Sequence, residues 1–357
     1  MIKLLIVDDS ALMRRQLMNL FQAEMDFEVR QARNGEEAVR ENRDFQPDVV
    51  TLDINMPEMD GLTALSLIMA ERPVAVVMVS SLTNEGALAT FEALNLGAVD
   101  YIAKPGGTIS LSIDRIIAEL VAKVRAAARS RPRGKSSIAA TVARRMQEER
   151  KKIAAASSSP TAPRGAGNGL LLVGASTGGP RALEIVLSGL PESFPWPVLV
   201  AQHMPAAFTR AFAERLNQCC ALQVVEANGA LPVEVGKIYI GRGGADMVLA
   251  SRAGRLTVLP MPENPEFLWH PSVELLGRSA LVHCDPKRLT AVLLTGMGYD
   301  GSDAFAEIKK QGGRTIAESE ETAVVYGMPA ELVAKSGASL VLAVERVAAQ
   351  LSTWAGR

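Results

Sequence analysis

Residues 170–182 read LLVGASTGGPRAL, an apolar run that delivers one serine, Ser176, between glycines and ahead of a proline. Glycines between a buried strand and a helix suit two tasks, exposing a nucleophile or cradling a phosphate, because both bring backbone close to a ligand. As a G-x-S-x-G turn, GASTG would present the Ser176 hydroxyl on a sharp strand-to-helix bend. As a phosphate loop, GASTGGP lacks a Lys-Ser/Thr ending, and no acidic residue about twenty positions on follows a strand to meet a ribose. The stretch alone leaves both readings open.

The chain has three histidines, so a general base can be sought by elimination. His283, in LVHCDPKRL, falls at a helix end or loop. His270, in FLWHPSVE, precedes a proline and stands before a helix. His203, in QHMP, alone follows a buried strand directly, after PVLVAQ. Asp300, in TGMGYDG, comes after the run AVLLTGMG. A serine, a histidine and an aspartate at the ends of three apolar strands can meet at one rim, as an acyl-transfer triad requires. Asp300 also has a plain structural use, as N-cap of a helix starting near Gly301; its two oxygens allow both roles. The nearby glycines leave backbone N–H groups open, and the Met297 amide is a candidate oxyanion donor. The chain order Ser, His, Asp differs from the Ser, Asp/Glu, His of α/β-hydrolases, which argues against that fold.

A second constellation occupies the first half. Asp8 and Asp9 follow LLIV, Asp53 follows VVTL, Ser80 follows VVMV, and Lys104 with Pro105 follows YIA. Ligands of open α/β sheets gather at the carboxyl ends of the strands, so these groups converge. Crowded carboxylates need a cation, and hard oxygen ligands suit Mg²⁺. A carboxylate can also take a phosphoryl group, giving an aspartyl phosphate, with the lysine and hydroxyl holding its oxygens. One such aspartate alone would read as a helix cap. Five residues at successive strand ends do not.

The elements that must position these groups follow from the apolar pattern. Short runs (IKLLIV, FEVRQA, DVVTL, VAVVMV, DYIA; then GLLLVGA, PVLVAQ, KIYIG, LTAVLL, GRTIA, SLVLA) alternate with helical stretches. Continuous apolar strands separated by helices predict an α/β protein with two doubly wound parallel sheets, each covered on both faces. At 357 residues there is room for two cores. Between about Ser130 and Gly169 large apolar side chains nearly vanish and basic residues are in excess. That stretch reads as a tether, with ATVARRMQEERKKIAAA as a solvated helix inside it. The expected division is 1–125, a linker over 126–168, and 169–357.

Composition narrows the class. A formal net charge of −1 gives no global attraction to nucleic acid or anionic membrane. Cys219, Cys220 and Cys284 form neither a disulfide framework nor a zinc spacing, which suits a reducing cytoplasm. MIKLLIVDDS is too short and too acidic for a signal peptide, and no run approaches a membrane span. A soluble, cytoplasmic protein is expected.

Residues 1–125 resemble the receiver domain of bacterial response regulators, through VDDS, Asp53 of LDINMPEMDG, VSS and Lys104-Pro105. The resemblance implies a flavodoxin-like fold, Asp53 as phosphorylation site, and Asp8 and Asp9 as holders of Mg²⁺ together with Asp53. It also implies Ser80 and Lys104 as sensors of the phosphoryl group and Tyr101 as a switch aromatic, unless Tyr101 simply packs in the core. Residues 169–352 look like the catalytic domain of the chemotaxis receptor methylesterases, the CheB family, through GASTGGP, QHMP, FTRAFAERLN, LTGMGYDG and VVYGMP. That resemblance implies a Rossmann-like catalytic domain, with Ser176, His203 and Asp300 as triad and no cofactor at the esterase site. The implied activity is removal of methyl esters from receptor glutamates, with deamidation of certain glutamines. Methyl-accepting chemoreceptors would be the substrate and a CheA-type histidine kinase the phosphodonor. The unphosphorylated receiver would cover the catalytic rim until Asp53 is phosphorylated.

Two segments depart from the family pattern. GRGGADM has Asp246 where a histidine is usual, and LWHPSVE has Trp269 and His270 where the pattern is basic. Both are expected near the rim, altering substrate choice rather than chemistry. Two rivals stand beside the esterase: a protein that is mainly a glutaminyl deamidase, and a receiver joined to a non-catalytic binding module.

Overall fold

The computed structural model describes residues 1–80, 83–104, 113–130 and 169–356. The chain divides into two compact units, Met1–Ala162 and Pro163–Arg357.

In the first unit, strands β1 (Ile2–Val7), β2 (Phe27–Ala32), β3 (Val49–Asp53), β4 (Ala75–Ser80) and β5 (Asp100–Ala103) form one parallel sheet in the order β2-β1-β3-β4-β5. All five strands coincide with the predicted runs. The order reverses between β1 and β3, and there the sheet opens a crevice at its carboxyl edge. Helices α1 (Ala11–Ala23), α2 (Gly35–Asp44), α3 (Gly61–Glu71), α4 (Asn84–Leu96) and α5 (Ile113–Arg129) connect and flank the strands. Ser10, Asn34 and Asp60 each cap a helix with a side-chain oxygen. The cap of α1 is therefore Ser10, which leaves Asp8 and Asp9 free of that duty. A linker starting at 126 is corrected by α5, which continues to Arg129 because VRAAAR offers good helix formers and no breaker. Ser81, Pro105 and the helix expected within 131–168 lie outside the described residues.

In the second unit, seven parallel strands run β15-β14-β13-β6-β7-β10-β8. They are β6 (Leu170–Ala175), β7 (Val198–Gln202), β8 (Gln223–Ala227), β10 (Lys237–Gly241), β13 (Leu289–Leu293), β14 (Arg314–Glu318) and β15 (Leu340–Leu342). The chain enters at central β6, builds outward through β7, and later returns to the other side of β6 as β13. The switch point is thus at β6, the strand that Ser176 follows. β6, β7 and β13 are buried along their whole length, the mark of a sheet covered on both faces. Among the helices, α6 (Gly179–Ser188) buries Ala182, Leu183, Val186 and Leu187, an i, i+1, i+4, i+5 stripe against the sheet. The leucines and the valine each contribute about 1.5–3 kcal/mol on burial.

The expected runs omitted the edge strand β8, whose QVVEA is only partly buried, and the expectation of parallel strands alone missed a second piece. β9 (Leu231–Pro232), β11 (Asp246–Arg252) and β12 (Arg255–Met261) make a small antiparallel sheet in the order β11-β12-β9. Its hairpin turns at Ala253 and Gly254, both with positive φ, as a two-residue turn between twisted strands requires. The remaining helices are α7 (Ala206–Cys219), α8 (Val273–His283), α9 (Ser302–Lys310), α10 (Met328–Ala334) and α11 (Val344–Ala355). Among the described residues, no helix is long and apolar enough to cross a membrane.

Candidate active site

Pairing along the second sheet brings the three residues to one edge. Ala175 on β6 is in register with Gln202 on β7, so the next residues, Ser176 and His203, leave adjacent strands about 4.8 Å apart. His203 N donates to Ala175 O at 3.1 Å. Gln202 Nε2 donates to the carbonyls of both Ser176 and His203 at 3.0 Å. On the other flank the chain past β13 stays paired with β6: Leu294 N donates to Gly174 O at 2.9 Å, and Ser176 N to Thr295 O at 3.0 Å. A Cβ at Gly296 would stand 2.8 Å from Ser176 Cβ and 2.3 Å from Met328 Sδ. Only glycine lets this loop pass so close to the serine. Ser176 itself sits just before α6, whose N-cap Gly178 takes a left-handed φ of 76°. The helix N-terminus places positive potential there.

Asp300 stands after β13 and reaches His203: the imidazole Nε2 and Asp300 Oδ2 are 2.8 Å apart, and both side chains are buried. A carboxylate only accepts, so Nε2 carries a proton, and in the neutral ring the lone pair is on Nδ1. Nδ1 is buried and has no hydrogen-bond partner. The imidazole is therefore a base with its accepting nitrogen unengaged.

Asp300 does cap a helix, although not the one expected. α9 has Gly301 as N-cap with no side-chain bond. Asp300 caps α8 instead: Val273 N donates to Oδ2 at 2.7 Å and Glu274 N to Oδ1 at 2.9 Å. Ser272 Oγ, from the N-cap of α8, adds a bond to Oδ1 at 3.0 Å. Burial pushes the Asp300 carboxyl up, but the His203 contact and the two amides outweigh it and hold it below the ordinary carboxylate range. The cap signal was present in the sequence, since Pro271-Ser272 precedes an apolar periodic run. Nothing in one chain pairs that cap with a carboxylate 28 residues away.

The two departing segments prove to be one coupled feature. Asp246 is not on the rim. It is 1% exposed and binds His270 Nδ1 at 2.9 Å. The rim position belongs to Trp269, whose ring stacks on that of His203. His283 ends α8, as its sequence context suggests.

In the first unit, Asp8, Asp9 and Asp53 each offer an oxygen, all within 4.8 Å of one another. Lys104 Nζ stands 2.7 Å from Asp53 Oδ2 and 3.0 Å from Asp8 Oδ2. Burial is the main influence raising the Asp53 carboxyl above its ordinary value; Lys104 opposes it and Asp8 adds to it. The Lys104 ammonium, which burial alone would depress, is raised by the two carboxylates. Ser80 is buried, with Oγ donating to Gly86 O at 3.2 Å. Tyr101 is buried too, with the Lys123 ammonium 5.3 Å from its ring centre.

Fold and rims together define a class: a receiver-type unit carried in one chain with an α/β unit of serine-hydrolase layout. Residues 171–351 match the CheB methylesterase family and residues 4–113 the response regulator receiver domain. "Protein-glutamate methylesterase/protein-glutamine glutaminase 3" of Rhodospirillum rubrum is 55% identical over 360 residues, covering 100% of this chain and 97% of that protein. A Rhodopseudomonas palustris relative, "protein-glutamate methylesterase/protein-glutamine glutaminase 2", is 52% identical and covers 99% of this chain and 98% of that one. The Thermotoga maritima CheB methylesterase catalytic domain superposes with a TM-score of 0.50 at 34% identity, covering 52% of this chain and 98% of its own. The chain belongs to the CheB methylesterase family.

Proposed function

We propose that this protein is a phosphorylation-activated protein-glutamate methylesterase that also deamidates glutamine, with Ser176 as nucleophile, His203 as general base and Asp300 as its orienting partner. The observation that carries the reading is the His203–Asp300 contact, which leaves an unengaged Nδ1 lone pair one residue past the strand pairing that also delivers Ser176. Ser176 Oγ attacks the ester carbonyl carbon while its proton passes to His203 Nδ1. The oxyanion that forms accepts from the Met297 amide, aided by the positive end of α6. Collapse breaks the C–OCH₃ bond, and the His203 proton leaves with the methoxide as methanol. Water, deprotonated by the same imidazole, then cleaves the acyl-enzyme to glutamate and free Ser176. With a carboxamide in place of the ester, the same steps release ammonia.

In the receiver, Asp53 accepts a phosphoryl group from a CheA-type histidine kinase, becoming an acyl phosphate. Asp8, Asp9 and Asp53 suit a hard divalent cation, having oxygen donors at a separation one ion can span. Mg²⁺ held there would neutralise charge on the incoming phosphoryl group. On this reading Lys104, already 2.7 Å from Asp53 Oδ2, and Ser80 bind phosphoryl oxygens, and Tyr101 is the switch aromatic. The protein substrate is a methyl-accepting chemoreceptor, met in the cytoplasm, with no nucleic acid partner and no insertion into the membrane. The unit that ends with α5 at Arg129 serves as input and residues 169–357 as output, joined by the basic segment between them.

The test is methanol release from methylated receptors with Mg²⁺ and a small phosphodonor. Wild type should release methanol, Ser176→Ala should fall to background, and the phosphodonor should raise the wild-type rate. Release that survives in Ser176→Ala would sink the assignment.

A further inference from the structure

One apolar side of the rim takes no part in the steps above. The Trp269 indole lies flat against the His203 imidazole, with ring centroids 5.7 Å apart and planes within 4°. Tyr299 meets the indole edge-on at 5.3 Å. The benzo edge of the indole covers Gly298, where a Cβ would fall 2.6 Å from Trp269 Cη2 and Cζ2. The indole therefore runs from the imidazole to the residue following Met297. On the proposed mechanism those two places flank the reacting carbonyl.

Trp269 is held from behind by Asp246, at the start of β11. Its buried carboxylate accepts from Asn264 N at 2.8 Å, His270 Nδ1 at 2.9 Å and Ser272 N at 2.8 Å. The three donors bracket Trp269 in sequence, so a single buried anion sets the path of the segment that carries the indole. The same Ser272 donates its hydroxyl to Asp300, which links this path to the His203 contact.

We propose that Trp269 is the specificity-determining wall of this site, positioned by Asp246 and His270, and that it selects a methyl ester over a carboxamide. The inference rests on the methylesterase reading above. The leaving group collects its proton from His203, so it departs beside the ring on which the indole is stacked. A methoxy group turns a methyl toward the indole and needs no hydrogen-bond acceptor. A carboxamide turns an NH₂ there, and an N–H desolvated against an apolar face without an acceptor is penalised. The indole face also favours the imidazolium formed in either reaction. That effect is common to both substrates, so only the ratio of the two activities reports the wall.

Methanol and ammonia release would be measured with the full-length, phosphodonor-activated protein on receptors carrying methylglutamate or glutamine at the same positions. Trp269→Gln, which supplies an acceptor and removes the apolar face, should lower the ester-to-amide ratio of kcat/KM about tenfold or more. Trp269→Phe should retain most of the preference. Asp246→Asn should shift the ratio in the same direction as Trp269→Gln, and His270→Gln replaces it if that variant does not fold. An unchanged ratio in Trp269→Gln overturns the proposal, whether both rates fall together or neither falls. Wild type with no Ser176-dependent release of either product overturns the methylesterase reading instead.

Discussion

Asp300 shows how much one carboxylate does when it is shared. Oδ2 serves both His203 and the Val273 amide, and Oδ1 serves Ser272 and the Glu274 amide. Asp300→Asn keeps the volume but puts an NH₂ where donors already point. The imidazole then loses the partner that fixes its tautomer, and kcat should fall by about 10⁴-fold. Stability should fall by about 1–3 kcal/mol, because donors of α8 lose a charged acceptor. The pH dependence has a definite sign. The folded Asp300 carboxyl lies below its ordinary value, so its contribution is complete above the unfolded pKa of about 3.9. It is lost only as pH falls through the lower folded value. Denaturant unfolding of wild type and Asp300→Asn should therefore show a constant difference near neutrality, shrinking only below about pH 4.

At the level of elements, the site is a set of strand ends around a switch point. β6 leads into the serine, β7 into the histidine, and the loop after β13 carries the aspartate, while the N-terminus of α8 fixes the aspartate from a different layer. The tightest demand falls on Gly296, where the loop after β13 crosses the serine. Gly296→Ala must displace either the Met328 side chain or Ser176 itself. Overpacking of this kind costs about 1–3 kcal/mol, whereas a shift of about 1 Å in a reacting group costs about 10²-fold in rate. Steady-state kinetics set beside a thermal melt should show kcat reduced far more than stability. A variant with full activity would mean the loop relaxes without moving the serine.

For the whole molecule, the receiver rim and the esterase rim lie on separate units, and their chemistry can be perturbed independently. Asp53→Asn should leave basal methanol release intact and abolish the gain produced by a phosphodonor. A gain that persists in Asp53→Asn would place the input elsewhere. Mg²⁺ relieves the repulsion among Asp8, Asp9 and Asp53, so it should stabilise the receiver unit in thermal unfolding of the full chain. The expected effect is about 2.7 kcal/mol at a hundredfold excess over Kd, lost when Asp9 and Asp53 are replaced together by Asn.

The strands of the first sheet and six of the seven in the second were legible in the chain with the residues at their carboxyl ends, because a buried parallel strand is a continuous apolar run and chemistry collects where such a run stops; the edge strand β8, QVVEA, is only partly buried and gave no such run. That local signal was enough to place Ser176, His203 and Asp300 on one rim and Asp8, Asp53 and Lys104 on another. The small sheet of β9, β11 and β12 was not legible, since its strands alternate weakly and its pairing depends on a turn at Ala253 and Gly254. Nor were the helix that Asp300 caps, the tautomer of His203, or the burial of Asp246 against His270. Each joins groups far apart in the chain whose residue types are ordinary taken singly. Periodicity reports which face of an element is covered; which polar groups meet beneath that cover depends on the layering of elements that only the folded chain brings together.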